Sequence, residues 1–83
     1  MQLNTLVARG RAIAAGRMLA GLDQEALASE AGLSSSTVSR LELGRRSVRP
    51  QSLRAIREAL ERCGIDLTLN DRTGHHAAGT SFA

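Results

Sequence analysis

Six arginines, Arg40, Arg45, Arg46, Arg49, Arg54 and Arg57, fall within 18 residues, with Glu42 the only carboxylate among them. The whole 83-residue chain carries a net charge of only +3, and all eleven of its basic residues are arginines. A basic block on an otherwise near-balanced chain suits a polyanion better than general adhesion. Guanidinium groups fork onto paired acceptors such as phosphate oxygens or the O6 and N7 of guanine. Just before this block stand the hydroxyls of Ser34, Ser35, Ser36, Thr37 and Ser39. As a nucleophile, such a serine would need a base, and no histidine lies near it in sequence. As hydrogen-bonding groups, the same hydroxyls suit phosphates and base edges. The His75–His76 pair in a small, polar C-terminal stretch lacks the ligand spacing of a metal site. Neither catalysis, a metal nor a cofactor is expected. Cys63 is the single cysteine. It forms no internal disulfide, fits a reducing compartment, and is expected to be a small buried hydrophobe.

These groups need elements to hold them. With one Phe and no Trp or Tyr, the core must be built from Leu, Ile, Val and Ala, which favours closely packed helices. Apolar and small residues recur at helical spacing from about Asn4 to Ala20, through Leu6, Gly10, Ile13 and Arg17. Gly10 and Gly16 weaken this helix by about 1 kcal/mol each. Asp23 is a good cap for a second helix, whose inner stripe is Leu27, Ala28 and Ala31 and whose end is Gly32. Ser34 caps a third, with Val38 and Leu41 inward. Its serines and β-branched residues make it a poor isolated helix, so packing must hold it. Pro50 opens a fourth helix with Leu53, Ile56 and Leu60 inward, closed by Gly64. Ile65-Asp66-Leu67-Thr68-Leu69 alternates with the period of a half-buried strand. Asn70 to Gly74 reads as a turn.

The second and third helices, broken at Gly32, have the layout of a helix-turn-helix, in which one helix enters a DNA major groove. Counting Gln24 as the first position, Leu27, Ala28, Gly32, Leu33, Val38 and Leu41 all carry the residue type this motif requires. Together with the following Leu-Glu-Leu-Gly-Arg-Arg, they make the stretch from about Ala12 to Leu60 resemble the Cro/phage-repressor family of bacterial regulators, the xenobiotic-response-element type. The resemblance implies an all-α, compact four-helix, lambda-repressor-like domain with a short C-terminal β-strand. It assigns Ser35, Ser36 and Arg40 to base contacts, and Gln24, Thr37, Ser39, Arg45, Arg46 and Arg49 to phosphates. It also implies a shielded ion pair between Arg17 and Glu42, which follow Ile13 and Val38 by four residues and so point coreward.

The expected function is sequence-specific binding of double-stranded DNA, as a homodimeric repressor on a palindromic operator. The alternative is an antitoxin that binds DNA and also neutralises a partner toxin. The expected organisation is a DNA-binding domain over 1–64, a strand and turn over 65–74, and a disordered tail over 75–83. Ile65, Leu67 and Leu69 share one strand face and are the expected dimer contact, with a local hairpin back onto Ala77 to Phe82 as the other use of that strand. No signal peptide is apparent, because Arg9, Arg11 and Arg17 interrupt the N-terminal apolar residues. No run approaches the roughly 20 apolar residues of a membrane span, so a cytoplasmic protein is expected.

Overall fold

The computed structural model describes residues 4–45 and 48–81. Four helices are followed by a β-hairpin: α1 (Thr5–Leu19), α2 (Gln24–Ala31), α3 (Ser35–Glu42), α4 (Pro50–Arg62), β1 (Ile65–Asn70) and β2 (His75–Thr80). Each of the first three helices begins at a short polar side chain that accepts a backbone N–H left unpaired by the helix start. Asn4 accepts from Val7, Asp23 from Ala26 and Ser34 from Thr37. At α4 that service is absent, and Pro50 at the first helical position removes one N–H that would otherwise need a partner.

The turn between α2 and α3 depends on Gly32, whose φ of +68° is strained for any residue with a Cβ. It lets α3 cross α2 so that Leu27 and Ala28 meet Val38 and Leu41, all four buried. On the other side, α3 lies against α1 at unusually close range. A Cβ on Gly10 would sit 2.5 Å from the Glu42 carbonyl oxygen and 2.6 Å from that of Leu41. The residue that costs α1 helix propensity is the one that allows α3 to dock.

The same core continues through Ile13, Ile56, Ala59 and Leu60 into β1, where Ile65 and Leu67 are 2% and 5% exposed. β1 pairs antiparallel with β2 in an unbroken register from Ile65↔Thr80 to Asn70↔His75. Asn70 shapes the connecting turn by accepting the N–H groups of Arg72 and Thr73 through its side chain.

Three sequence expectations change here. The tail expected to be disordered over 75–83 contains β2, so of the two uses expected for the strand the local hairpin forms, with the returning strand at His75–Thr80 rather than from Ala77 to Phe82. Its composition is too small and polar to signal a strand by itself, and β1 together with α1 supplies the pairing and the cover. Ile65 and Leu67, with half-buried Leu69, face their own protomer's core and so do not offer a free apolar face to a twin. Cys63 is exposed at the C-terminal cap of α4 rather than buried, because the helix ends before its side chain can reach the core. Among the described residues, no helix is long and apolar enough to cross a membrane.

Candidate nucleic-acid interface

The outward face of α3 carries Ser35, Ser36 and Arg40, all exposed. Thr37 and Ser39 are half-buried along its flanks. The hydroxyls at the start of α3 form a local cluster. Ser34 Oγ lies 3.1 Å from Ser36 Oγ and 2.9 Å from Thr37 Oγ1, while it accepts the Thr37 N–H at 3.2 Å. This cluster completes the helix N-terminus and fixes where Ser35 and Ser36 project. Arg40, one turn on, borders a cavity of ≈ 570 Å³ between α3 and the start of α4, whose other walls include Thr37, Arg49 and Ser52. Arg49 in that wall and Arg45 just beyond α3 are both exposed. Arg46 lies outside the described residues.

Not all of the basic block faces this way. Arg57 Nη1 donates to the Leu67 carbonyl at 2.6 Å, which ties α4 to β1 and takes Arg57 away from the α3 surface. Its position in the arginine run gave no sign of this, because the acceptor is a backbone oxygen on another element.

Behind α3, Arg17 and Glu42 form a bidentate pair. Arg17 Nε donates to Glu42 Oε2 at 2.8 Å and Arg17 Nη2 to Oε1 at 3.0 Å. The side chains are 14% and 8% exposed. Arg17 Nη1 also donates to the Leu22 carbonyl at 3.1 Å, binding the end of α1 to the approach to α2. The hydrogen bond to Glu42 raises the Arg17 pKa above its ordinary value, against the opposing effect of burial. Gln24, at the first turn of α2, belongs to the same network. Its Nε2 donates to Glu42 Oε1 at 3.1 Å. One hydrogen-bonded set thus joins α1, α2 and α3 beside the basic face.

A second polar group escaped sequence reading. The His76 ring is buried between the Gly74 carbonyl (Nδ1, 3.1 Å) and Asp71 Oδ1 (Nε2, 3.0 Å), and Arg9 Nη1 of α1 lies 4.0 Å from Asp71 Oδ2. It pins the hairpin turn to α1. The signal needed was the pairing of His76 with Leu69, which puts its side chain on the inner face. Among the described residues, no group of three or more His, Cys, Asp or Glu side chains has the arrangement to hold a metal.

Residues 13–67 match the Helix-turn-helix family. The fold is also similar to the solved structure of the clp gene regulator ClgR from C. glutamicum, with a TM-score of 0.66 and 28% sequence identity, over 74% of this chain and 78% of that one. None of the curated proteins matches. The family match spans both helices of the motif, the core they share and the first residues of β1, and the chain belongs to the Cro/C1-type helix-turn-helix family.

Proposed function

We propose that this protein is a DNA-binding transcriptional regulator that inserts α3 into the major groove and acts as a homodimeric repressor on a palindromic operator. The observation that carries the reading is the uncovered outer face of α3, with Ser35, Ser36 and Arg40 exposed and flanked by Arg45 and Arg49. The helix-turn-helix family match and the likeness to a gene regulator support it. In this reading Arg40 reads a guanine edge, while Ser35 and Ser36 add short hydrogen bonds of low discrimination. Arg45 and Arg49 position the backbone, as does Arg46, and Thr37 and Ser39 lie at the groove margins. Gln24 serves as a phosphate clamp. Its amide has two hydrogens, so donating one to Glu42 leaves the other for a phosphate oxygen near the N-terminus of α2.

The test is a mobility-shift titration on DNA upstream of the gene, with single-base variants of the bound site and a salt series. Arg40→Ala is expected to lose about 1–3 kcal/mol and to relax preference at one base pair. Arg49→Ala is expected to weaken all sequences alike and to reduce the salt slope by about one. If Arg49→Ala changed the preferred base while Arg40→Ala did not, the groove and backbone roles would be reversed. Absence of any preferred duplex would sink the reading.

A further inference from the structure

The β-hairpin has two outer edges, and they differ. Ser81 N–H donates to the Gly64 carbonyl at 2.7 Å, in line with the strand register. Antiparallel ladders alternate between hydrogen-bonded and non-hydrogen-bonded pairs. Asp66↔Gly79, Thr68↔Ala77 and Asn70↔His75 are therefore the hydrogen-bonded pairs, and the backbone groups of Ile65, Leu67 and Leu69 on β1 and of His76, Ala78 and Thr80 on β2 point outward. On β1 the middle of that outward edge is engaged, since Arg57 donates to the Leu67 carbonyl. On β2, among the described residues, no group pairs with it, and the sheet has only two strands.

Exposed edges are usually blunted by lysine, proline, bulges or inward charges. The β2 sequence His-His-Ala-Ala-Gly-Thr contains no lysine or proline, and its register is free of bulges. Beside it on α1, one turn beyond Gly16, whose Cβ position lies 3.5 Å from the Ala78 Cβ, Leu19 is 51% exposed. The edge thus has no bulge and no charged side chain at its centre, and an exposed apolar residue lies one helical turn from the α1 position that meets Ala78.

We infer that β2 pairs antiparallel with β2 of a second copy of this chain, across a two-fold axis at Ala78, making one continuous four-stranded sheet. This rests on the homodimer reading above and names the surface that forms it. The register follows from the outward groups. Centring the axis on Ala78 pairs it with its twin and pairs His76 with the partner's Thr80, so every outward backbone group of the strand finds a partner. Moving the axis to Ala77 or Gly79 leaves one outward residue of each strand unpaired. The assembly also closes. On the outer β1 edge Arg57 already holds the Leu67 carbonyl, which opposes a further strand there and favours a sheet that stops at four strands over a fibre. Because the hairpin packs on α1 and α4, joining it to a twin leaves both α3 helices uncovered.

The test uses the full chain without DNA, so that its outcome is independent of whether an operator is found. Sedimentation at micromolar concentration is expected to show a dimer for the wild type and a monomer for Ala78→Pro. The Ala78 N–H takes no part in the hairpin, so proline there removes an outer donor and places its ring where the twin would lie. Should that variant lose its helical circular dichroism, a second one decides. In a Cys63→Ser background, Ala77→Cys with Gly79→Cys puts each thiol opposite the partner's other thiol in a non-hydrogen-bonded pair, at a spacing a disulfide accepts. The added Cβ at Gly79 meets nothing within 4 Å. A covalent dimer on mild oxidation supports the pairing. A monomeric wild type, a folded Ala78→Pro that stays dimeric, or failure to crosslink overturns it. If the dimer stands and no DNA is bound, the regulatory reading alone fails.

Discussion

At the scale of single residues, Arg17 and Glu42 show why a charged pair can be kept behind a small core. Both side chains are largely shielded, and part of their remaining hydrogen-bonding capacity is used by the Leu22 carbonyl and the Gln24 amide. The energetic lesson lies in removing one partner. Arg17→Met leaves Glu42 charged with only Gln24 beside it, and is expected to cost about 3–5 kcal/mol in urea unfolding. Arg17→Met together with Glu42→Leu should cost less than half as much, because no charge is left stranded. An unchanged midpoint for the single variant would mean that the pair is worth no more than an exposed one, about 0–1 kcal/mol. The raised Arg17 pKa also fixes a sign. A cation whose pKa rises on folding contributes its stability below the unfolded pKa and loses it only as pH climbs through the folded value. For Arg17 that window lies above the ordinary arginine range, so no ordinary alkaline treatment breaks the pair from this side.

At the scale of elements, the two glycines of α1 have opposite meanings, although both look like defects in a helix. At Gly10 the obstructing atoms are backbone carbonyls of α3, 2.5 and 2.6 Å from an added Cβ. At Gly16 the nearest atom is the Leu60 Cδ1 at 3.1 Å, the end of a side chain that can turn. Gly10→Ala gains about 1 kcal/mol in helix propensity, yet it is expected to be destabilised by about 2 kcal/mol or more through forced separation of α1 and α3. Gly16→Ala should remain within about 1 kcal/mol of the wild type, as propensity and crowding offset. Equal urea midpoints for the two alanine variants would contradict this contrast. Separation of α1 from α3 also bears on function, since it strains the ion pair that locates α3 against Gln24.

At the scale of the whole molecule, the hairpin is part of the core and not an appendage. Ile65 and Leu67 belong to the same buried cluster as Ile13, Val38 and Ile56, and β2 rests on α1. A fragment ending at Gly64 would expose that cluster on one side. Losing a buried Ile and a buried Leu costs about 2–5 kcal/mol each, against a total stability of about 5–15 kcal/mol for a domain. The 1–64 fragment is therefore expected to lack a cooperative thermal transition by circular dichroism, whereas the full chain has one. A fragment that melted cooperatively near the full-length temperature would show that the four helices suffice.

The sequence by itself determined the helices, their caps and the helix-turn-helix, because these depend on local rules. Asp23, Ser34 and Pro50 mark helix starts, Gly32 a turn, and the apolar spacing the inward faces. It also placed Arg40 on an outward face, and the resemblance drawn from those residues named the Arg17 and Glu42 pair. Only the tertiary structure decided matters that depend on residues far apart in the chain. The small, polar stretch from His75 to Thr80 has no strand signal of its own and becomes β2 because β1 offers a ladder and α1 a face. Ile65 and Leu67 alternate as any half-buried strand would, and alternation cannot say whose core they enter. Arg57 looks like one more arginine of a basic block until its acceptor, a carbonyl ten residues on in β1, is in view. Gly10 reads as a helix weakener until α3 lies against it. In each case the deciding partner is a backbone atom or a face of another element, and side-chain pattern carries no record of it.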